Sequence, residues 1–306
     1  MRLVLDARTA AFAALIDYAG LFPPASLSMS DAVDSYRSVR SGPTAWIAGR
    51  FLCRASQLMD LAAVATSSFA ADESAWEVGV IFDLTPGESA ALTIDFRSEM
   101  DPAMTVAATE ARLAEPTSGA TNSLLDAMLS VATEVVPFVE VDRSAGISRQ
   151  VELVAAALKS RRRVGGVKLR CGGVSADMFP TPGEVAEFLM AATDRRLPFK
   201  VTAGLHEPIR HFDPDIGTER HGFVNILIAA SLAEAGSDER TIESVIADDD
   251  PDAFSLSAAF ASWRGNEVSG SALRRMRQSG FVAYGSCDFD EPIDSLARLD
   301  FVGSGT

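Results

Sequence analysis

Two short stretches, residues 163–171 (RVGGVKLRC) and residues 198–206 (PFKVTAGLH), have the pattern of neighbouring β-strands and decide the fold. In both stretches large apolar residues alternate with other residues, as in a strand that packs one face against a hydrophobic core. Lys168 in the first stretch and Lys200 in the second fall on the faces opposite the apolar residues. The alternation therefore predicts that two lysines share one interior.

A pair of interior lysines indicates chemistry, because lysine is rarely buried without a partner. Each positive charge disfavours the other, so the pair is expected to lower the pKa of both amines. A lowered pKa supplies a neutral, nucleophilic amine near neutral pH. Lys168 and Lys200 together thus predict an enzyme. For each lysine taken alone, structural pairing with Glu140 or Asp142 is the alternative.

The rest of the chain predicts an α/β fold. From about residue 45 onward, short apolar runs alternate with longer helical patterns, which is typical of βα units around a parallel sheet. Eight strands in about 250 residues predict a (β/α)8 TIM-type barrel, with an open doubly wound sheet as the alternative. Residues 1–44 are predicted to be an N-terminal helical extension, and residues 45–306 the barrel, within a single domain. The predicted strands are 45–53, 77–83, 103–108, 134–142, 164–171, 199–205, 253–258 and 281–287.

Composition narrows the range of partners. The 306 residues carry a formal net charge of −15 at pH 7, which argues against binding of nucleic acid or of anionic membranes. The first residues lack the apolar centre of a secretory signal, and polar residues interrupt the longest apolar stretch, so a cytoplasmic protein is expected. Three widely spaced cysteines predict no disulfide framework. A small-molecule substrate is the expected partner, and assembly into a homo-oligomer stays open.

The same alternation places further charged residues inside the predicted barrel. Residues at the carboxyl ends of barrel strands line the active sites of such enzymes. Asp83, Glu140 and Asp142 are therefore candidate acids and bases, and His206, which ends the second lysine strand, is a candidate for proton transfer. Structural ion pairs that plug the barrel are the alternative, and they predict that no pocket is present. The candidate substrate-binding residues are Arg50, Arg170, Thr202, Arg210 and Ser286.

The two lysines belong to a longer pattern. Lys168 is followed by Gly172, by Thr181-Pro182 at a predicted helix start, by Phe199-Lys200, and by Gly204. This segment, within residues 164–210, resembles the two-lysine segment of deoxyribose-phosphate aldolase, a Schiff-base class I aldolase. The resemblance implies that Lys168 forms the carbinolamine and imine, that Lys200 lowers the pKa of Lys168, and that an acid on an earlier strand transfers protons.

The turn after the second lysine departs from this family pattern. In the family a glycine-rich turn binds a substrate phosphate, whereas residues 204–210 here (GLHEPIR) are bulkier and include a histidine. Arg170 and Arg210 are suited instead to a carboxylate. The leading prediction is an aldolase-like carbon–carbon lyase that acts on a small carbonyl or keto-acid substrate through a lysine imine and uses no cofactor.

The histidines support a second prediction. His206, His211 and His221 are the three histidines of the chain, and they follow the strand that carries Lys200. With nearby aspartates they are candidate ligands of zinc or another divalent ion, although their spacing matches neither HxH nor HExxH. A metal-dependent hydrolase or isomerase is therefore the first alternative function. The second is a barrel that binds a small acid without converting it.

Overall fold

The computed structural model describes residues 6–68 and 74–302 of the chain. Eight parallel strands form a closed barrel in which neighbours in sequence are neighbours in space, and the last strand pairs with the first. The chain thus has the predicted (β/α)8 TIM-type fold. The barrel strands are β1 (Ile16–Tyr18), β2 (Ala48–Arg54), β3 (Trp76–Ile81), β4 (Met104–Arg112), β5 (Val136–Val141), β6 (Gly166–Arg170), β7 (Phe199–Thr202) and β8 (Phe281–Ser286).

Helices connect the strands and cover the outside of the barrel. The helix that follows β6 begins as predicted, because Thr181 caps it and forms a capping box with Glu184. None of the described helices has the length and apolar character needed to cross a lipid bilayer. The α-helices are α1 (Ala7–Phe12), α2 (Met29–Ser41), α3 (Leu58–Ser68), α4 (Pro86–Met100), α5 (Ser118–Ser130), α6 (Ile147–Arg161), α7 (Pro182–Asp194), α8 (Phe223–Glu234), α9 (Glu239–Ala247), α10 (Gly270–Ser279) and α11 (Asp290–Arg298).

The first barrel strand lies in the segment that the sequence assigns to the N-terminal extension. Strand β1 pairs in parallel with β8 on one side and with β2 on the other, so the boundary expected at residue 44 is wrong. Its three residues are too few to show an alternating pattern. The strand predicted at 253–258 is also misplaced: Phe254–Leu256 belongs to a separate antiparallel sheet with Phe260–Trp263 and Asn266–Ser269.

The apolar faces of the strands pack against the helices and form the hydrophobic core. Val167, Leu169, Phe199 and Val201 are all buried in it. The alternate residues of β6 and β7 therefore face the barrel interior. This arrangement confirms the predicted placement of the two interior lysines.

Strand β4 contains a β-bulge that changes which residues face the interior. Val78 of β3 pairs with Val106, but the next residue, Gly79, pairs with Ala108. One extra residue on β4 shifts the alternation by one position. Val106, before the bulge, packs in the hydrophobic core, whereas Glu110, beyond it, contacts interior lysines.

Candidate active site

A cavity of about 680 Å³ lies at the carboxyl ends of the barrel strands. Its lining includes residues at or just beyond the ends of the barrel strands. This is the face at which (β/α)8 enzymes bind their substrates. If structural ion pairs filled the barrel, no pocket would be present. The cavity contradicts that alternative at the carboxyl-terminal end of the barrel.

Lys168, at the cavity floor, lies beside Lys200, and the two amines share one carboxylate. They are register partners on β6 and β7. Lys168 Nζ donates to Glu110 Oε2 at 2.8 Å, and Lys200 Nζ donates to the other oxygen of the same carboxylate. Glu140 Oε2 lies 2.8 Å from Lys168 Nζ, and Asp17 Oδ2 lies 2.5 Å from Lys200 Nζ. Each ammonium group is therefore bound by two carboxylates.

The two lysines differ in their access to the cavity. Lys168 is part of the cavity lining, together with Glu110 and Glu140, whereas Lys200 is not. The side chain of Lys200 is only 1% exposed, and the ring centroid of Phe138 lies 5.6 Å from its Nζ. Of the two amines, Lys168 is the one placed to react with a bound molecule.

The carboxylates keep Lys168 protonated in the resting state. Burial lowers the pKa of its amine, but the charges of Glu110 and Glu140 outweigh burial and raise the pKa above the usual range. For Glu110, burial raises the pKa, but Lys168 and Lys200 outweigh burial and lower it to about 2. The expectation that the paired lysines lower each other's pKa is wrong for Lys168, because a carboxylate lies between the two amines.

Arg50, a predicted substrate ligand, is not part of the cavity lining. Its backbone N–H donates to Asp17 Oδ1 at 2.7 Å, and its guanidinium lies 3.5 Å from Asp17 Oδ2 and 3.8 Å from Glu77. Arg50 and Glu77 thus extend the charges of the cavity floor deeper into the barrel. A series of alternating charges leads from Glu140 at the cavity to Glu77, whose side chain is 62% exposed.

Three arginines lie one layer above Lys168. Arg54, Arg112 and Arg170 are the last residues of β2, β4 and β6, and all three line the cavity. Each follows by two residues an inward-facing residue of the same strand, so the three belong to one layer contributed by alternate strands. We call these residues the arginine layer.

Several other predicted site residues lie where the sequence places them. His206 Nδ1 is 2.8 Å from Glu291 Oε2, a contact that orients the imidazole. The Ser286 hydroxyl donates to the backbone carbonyl of Asp288 at 2.7 Å. The structure therefore brings the predicted residues of four strand ends together around one space. The predicted residues that line the cavity are Glu140, Lys168, Arg170, Thr202, His206 and Ser286.

Two predicted carboxylates lie outside the cavity lining. Asp83 is exposed and accepts a hydrogen bond from the Ser56 hydroxyl at 2.5 Å. Asp142 accepts hydrogen bonds from Ser144, and its other oxygen lies 2.6 Å from Arg112. The hydrogen bond from Ser144, and to a smaller extent that from Arg112, lowers the pKa of Asp142 to about 2. Both carboxylates support loops at the rim.

His211, His221 and Arg210 are likewise absent from the cavity lining. His211 Nδ1 lies 3.2 Å from a backbone carbonyl. His221 is buried, with Nε2 2.7 Å from the carbonyl oxygen of Pro180 and Nδ1 3.4 Å from Arg210. Burial lowers the pKa of His221 to about 4. Within the described part of the chain, no three His, Cys, Asp or Glu side chains are grouped so as to hold a metal ion, and the predicted metal site stays a prediction.

The sequence patterns missed the interior carboxylates Glu110 and Asp17, and Arg54 and Arg112 of the arginine layer. Glu110 lies beyond the predicted end of its strand at Ala108, and the bulge reverses the simple alternation there. Asp17 lies on the three-residue strand β1 within the expected helical extension. A requirement that every buried lysine has a counter-charge predicts such carboxylates in general, but it does not identify them.

The arrangement at the cavity floor is suited to carbonyl chemistry. An amine capable of attacking a carbonyl carbon stands between two carboxylates that can accept its proton and return it. The arginine layer above adds guanidinium groups that match the oxygens of anionic groups. Comparisons of the chain with protein-family models, with curated proteins and with solved structures gave no match.

Proposed function

We propose that the protein is an aldolase-like carbon–carbon lyase that acts on a small carbonyl compound through an imine on Lys168. The observation that carries this proposal is the position of Lys168 Nζ in the cavity lining, 2.8 Å from both Glu110 and Glu140. Imine formation needs an amine that reaches the carbonyl carbon, with a proton acceptor and donor beside it. The cavity floor supplies all three.

The use of lysine at these positions supports amine chemistry over purely structural pairing. The chain contains only three lysines, Lys159, Lys168 and Lys200, and its other cationic side chains are arginines apart from the histidines. Arginine forms the better structural ion pairs, because its planar guanidinium binds a carboxylate through two hydrogen bonds. Two of the three lysines nevertheless occupy the barrel interior, where only a lysine can form an imine.

In this mechanism the costly step is the formation of the neutral amine. Lys168 gives a proton to a carboxylate as the substrate arrives. Glu140 is the better acceptor, because the described ion pairs connect it with Lys168 alone, whereas two ammonium groups hold Glu110 ionised. The amine then attacks the carbonyl carbon, and the carbinolamine loses water to give the protonated imine.

The same carboxylates favour the protonated imine. It carries one positive charge at the position of the original ammonium group, so Glu110 and Glu140 stabilise both species. Removal of a proton from the substrate's β-hydroxyl breaks the adjacent carbon–carbon bond, whose electron pair moves toward the imine nitrogen and leaves an enamine. We assign the removal of that proton to His206, which lines the cavity and is oriented by Glu291.

Lys200 acts through Glu110 and is a positioning residue. It binds the second oxygen of the Glu110 carboxylate and so divides that negative charge between two amines. A divided charge holds the proton of Lys168 less strongly than a carboxylate that binds Lys168 alone. This route to a more reactive Lys168 replaces the direct repulsion between the two lysines that the sequence suggests.

Borohydride trapping tests the proposal. The protein is incubated with small aldehydes, ketones and keto acids, reduced, and analysed by intact mass and peptide mapping. We expect a covalent adduct on Lys168 that is absent in Lys168→Arg and weaker in Lys200→Met. Lys159→Arg, at an exposed position on α6, is the matched control and should retain the adduct. Absence of an adduct across the panel, or an adduct that persists in Lys168→Arg, would refute the imine mechanism.

A further inference from the structure

The cavity lining is cationic although the chain as a whole is strongly acidic, with a net charge of −15. Among the lining residues only Glu110 and Glu140 are acidic, and both are bound to Lys168. The basic residues of the cavity's upper wall are Arg54, Arg112, Arg170, His206 and Arg220. Arg112, His206 and Arg220 are each paired with a carboxylate outside the lining, so the attraction for an anion rests on Arg54 and Arg170.

Two members of the arginine layer have no carboxylate partner among the described ion pairs. Arg54 donates to the Gln57 side chain at 3.0 Å, and its guanidinium lies 4.3 Å from the ring centroid of Phe22. Arg170 Nε donates to the carbonyl oxygen of Gly172 at 2.9 Å. These contacts orient the two guanidinium groups without neutralising them. Because β2 and β6 are separated by three strands on either side of the eight-stranded barrel, the two charges stand on opposite walls.

The third member of the layer already has a carboxylate partner within the protein. Arg112, on β4 between the other two, holds the carboxylate of Asp142 at 2.6 Å. A planar carboxylate matches the parallel donors of a guanidinium group. Arg54 and Arg170 also line the cavity, and the described ion pairs give neither of them a carboxylate partner.

The place where (β/α)8 enzymes most often bind phosphate is acidic in this protein. That place is formed by the loops after the seventh and eighth strands and by a helix N-terminus. Here Glu207 follows β7, and Asp288, Asp290 and Glu291 follow β8, the last two in the first turn of α11. Glu207 is paired with Arg298 and Glu291 with His206, so it is chiefly the negative charges of Asp288 and Asp290 that disfavour a phosphate dianion at this position. An anionic group of the substrate is therefore directed to the arginine layer.

We propose that Arg54 and Arg170 bind a terminal carboxylate of the substrate, so that the lyase acts on carbonyl compounds whose carboxylate lies at the end remote from the reacting carbonyl. This inference rests on the proposed function. Arg170 lies two residues beyond Lys168 on β6, which separates their Cα atoms by roughly 6.6 Å at about 3.3 Å per residue. That separation places the anion several bonds from the carbonyl carbon and disfavours 2-keto acids, whose two groups are adjacent.

Borohydride trapping with three ketones of similar length tests the inference. The probes are 4-oxopentanoate, its neutral amide 4-oxopentanamide, and 3-oxobutyl phosphate, and the concentration for half-maximal trapping on Lys168 is measured for each. We expect 4-oxopentanoate to trap at a concentration at least tenfold lower than the amide. Arg54→Gln and Arg170→Gln should each lower this preference about tenfold or more. Arg195→Gln, on the outer helical layer near Glu152, should keep the preference of the unmodified protein.

The possible results separate the two proposals. Equal trapping of acid and amide, or a preference that neither arginine variant lowers, would overturn the carboxylate site while leaving the imine intact. Trapping of 3-oxobutyl phosphate at a lower concentration than 4-oxopentanoate would indicate a phosphate site rather than a carboxylate site and would also overturn the proposal. If no probe forms an adduct, the imine function fails, and calorimetric binding of glutarate decides the site. Binding that Arg54→Gln and Arg170→Gln weaken supports the site, and absence of binding refutes it.

Discussion

Replacement of Glu110 by glutamine tests how the interior charges are balanced. In the native barrel the positive charges of Lys168, Lys200 and Arg50 meet the negative charges of Glu110, Glu140 and Asp17. Glu110→Gln preserves the shape of the side chain and removes one negative charge. Two buried ammonium groups then compete for two remaining carboxylates and an amide.

The expected cost follows from the pKa of Glu110. Lys168 and Lys200 outweigh the effect of burial and lower this pKa from 4.5 to about 2. A shift of this size corresponds to about 3 kcal/mol of folding free energy. Removal of one partner of a buried ion pair costs roughly 3–5 kcal/mol in other proteins, which is consistent with this value. We therefore expect Glu110→Gln to lower the free energy of unfolding by about 3 kcal/mol at pH 7.

The pH dependence identifies the cause of the loss. Because the folded state lowers the pKa of Glu110, its contribution is complete above pH 4.5 and disappears as the pH falls toward 2. Urea unfolding of both proteins between pH 3 and pH 7 should show a stability gap that narrows below pH 4.5. Glu152→Gln, at a position with a 70% exposed side chain, should unfold like the parent. A gap below 1 kcal/mol at pH 7, or a gap of constant size across the range, would contradict the charge balance described above.

Two further positions give independent predictions. A Cβ atom on Gly49 would lie 2.5 Å from Asp17 Oδ1, so Gly49→Ala should lower the free energy of unfolding in urea by about 1–3 kcal/mol. Gly87→Ala, whose Cβ would meet open space, is the control and should leave the stability unchanged. Equal stabilities of the two variants would disprove the predicted steric clash at Gly49. Burial lowers the pKa of His221 from 6.5 to about 4, so between these pH values the unfolded chain binds a proton at this histidine and the folded chain does not. The free energy of unfolding should therefore fall by up to about 3 kcal/mol as the pH decreases from 6.5 to 4. His221→Gln should flatten the unfolding profile in that range, and an unchanged slope would show that another group titrates.

The alternation of apolar residues is sufficient to predict the barrel and the inward lysines. Seven of the eight predicted strands overlap barrel strands, because each has a long enough apolar face against the helices. The same pattern identifies Glu140 and Arg170 as inward residues. The pattern does not predict that Glu110 faces inward, because a β-bulge before it shifts the pairing of β4 by one residue and the spacing of apolar residues does not reveal that shift.

The electrostatic part of the site was less predictable. The sign of the pKa shift of Lys168 depends on which charge lies nearest, and that charge comes from β4, distant in sequence. Asp83 and Asp142 satisfy the same sequence rule as Glu140, but neighbouring side chains hold them away from the cavity lining. The alternation along a strand predicts which face of the sheet a residue occupies. It does not tell which partner the side chain meets.

Closure of the barrel by β1 and β8 has a consequence for biosynthesis. Strand β1 is synthesised before all the other barrel strands and β8 after them, so β1 lacks its second neighbour until β8 has been made. Its aspartate, Asp17, has Arg50 of the next strand as an early partner but lacks Lys200, its closer counter-ion, until β7 is made. Contacts between such distant segments form late and slowly. The incomplete barrel thus has two open edges on the nascent chain, and only the emergence of β8 allows the barrel to close and Lys200 to meet Asp17 beneath the cavity.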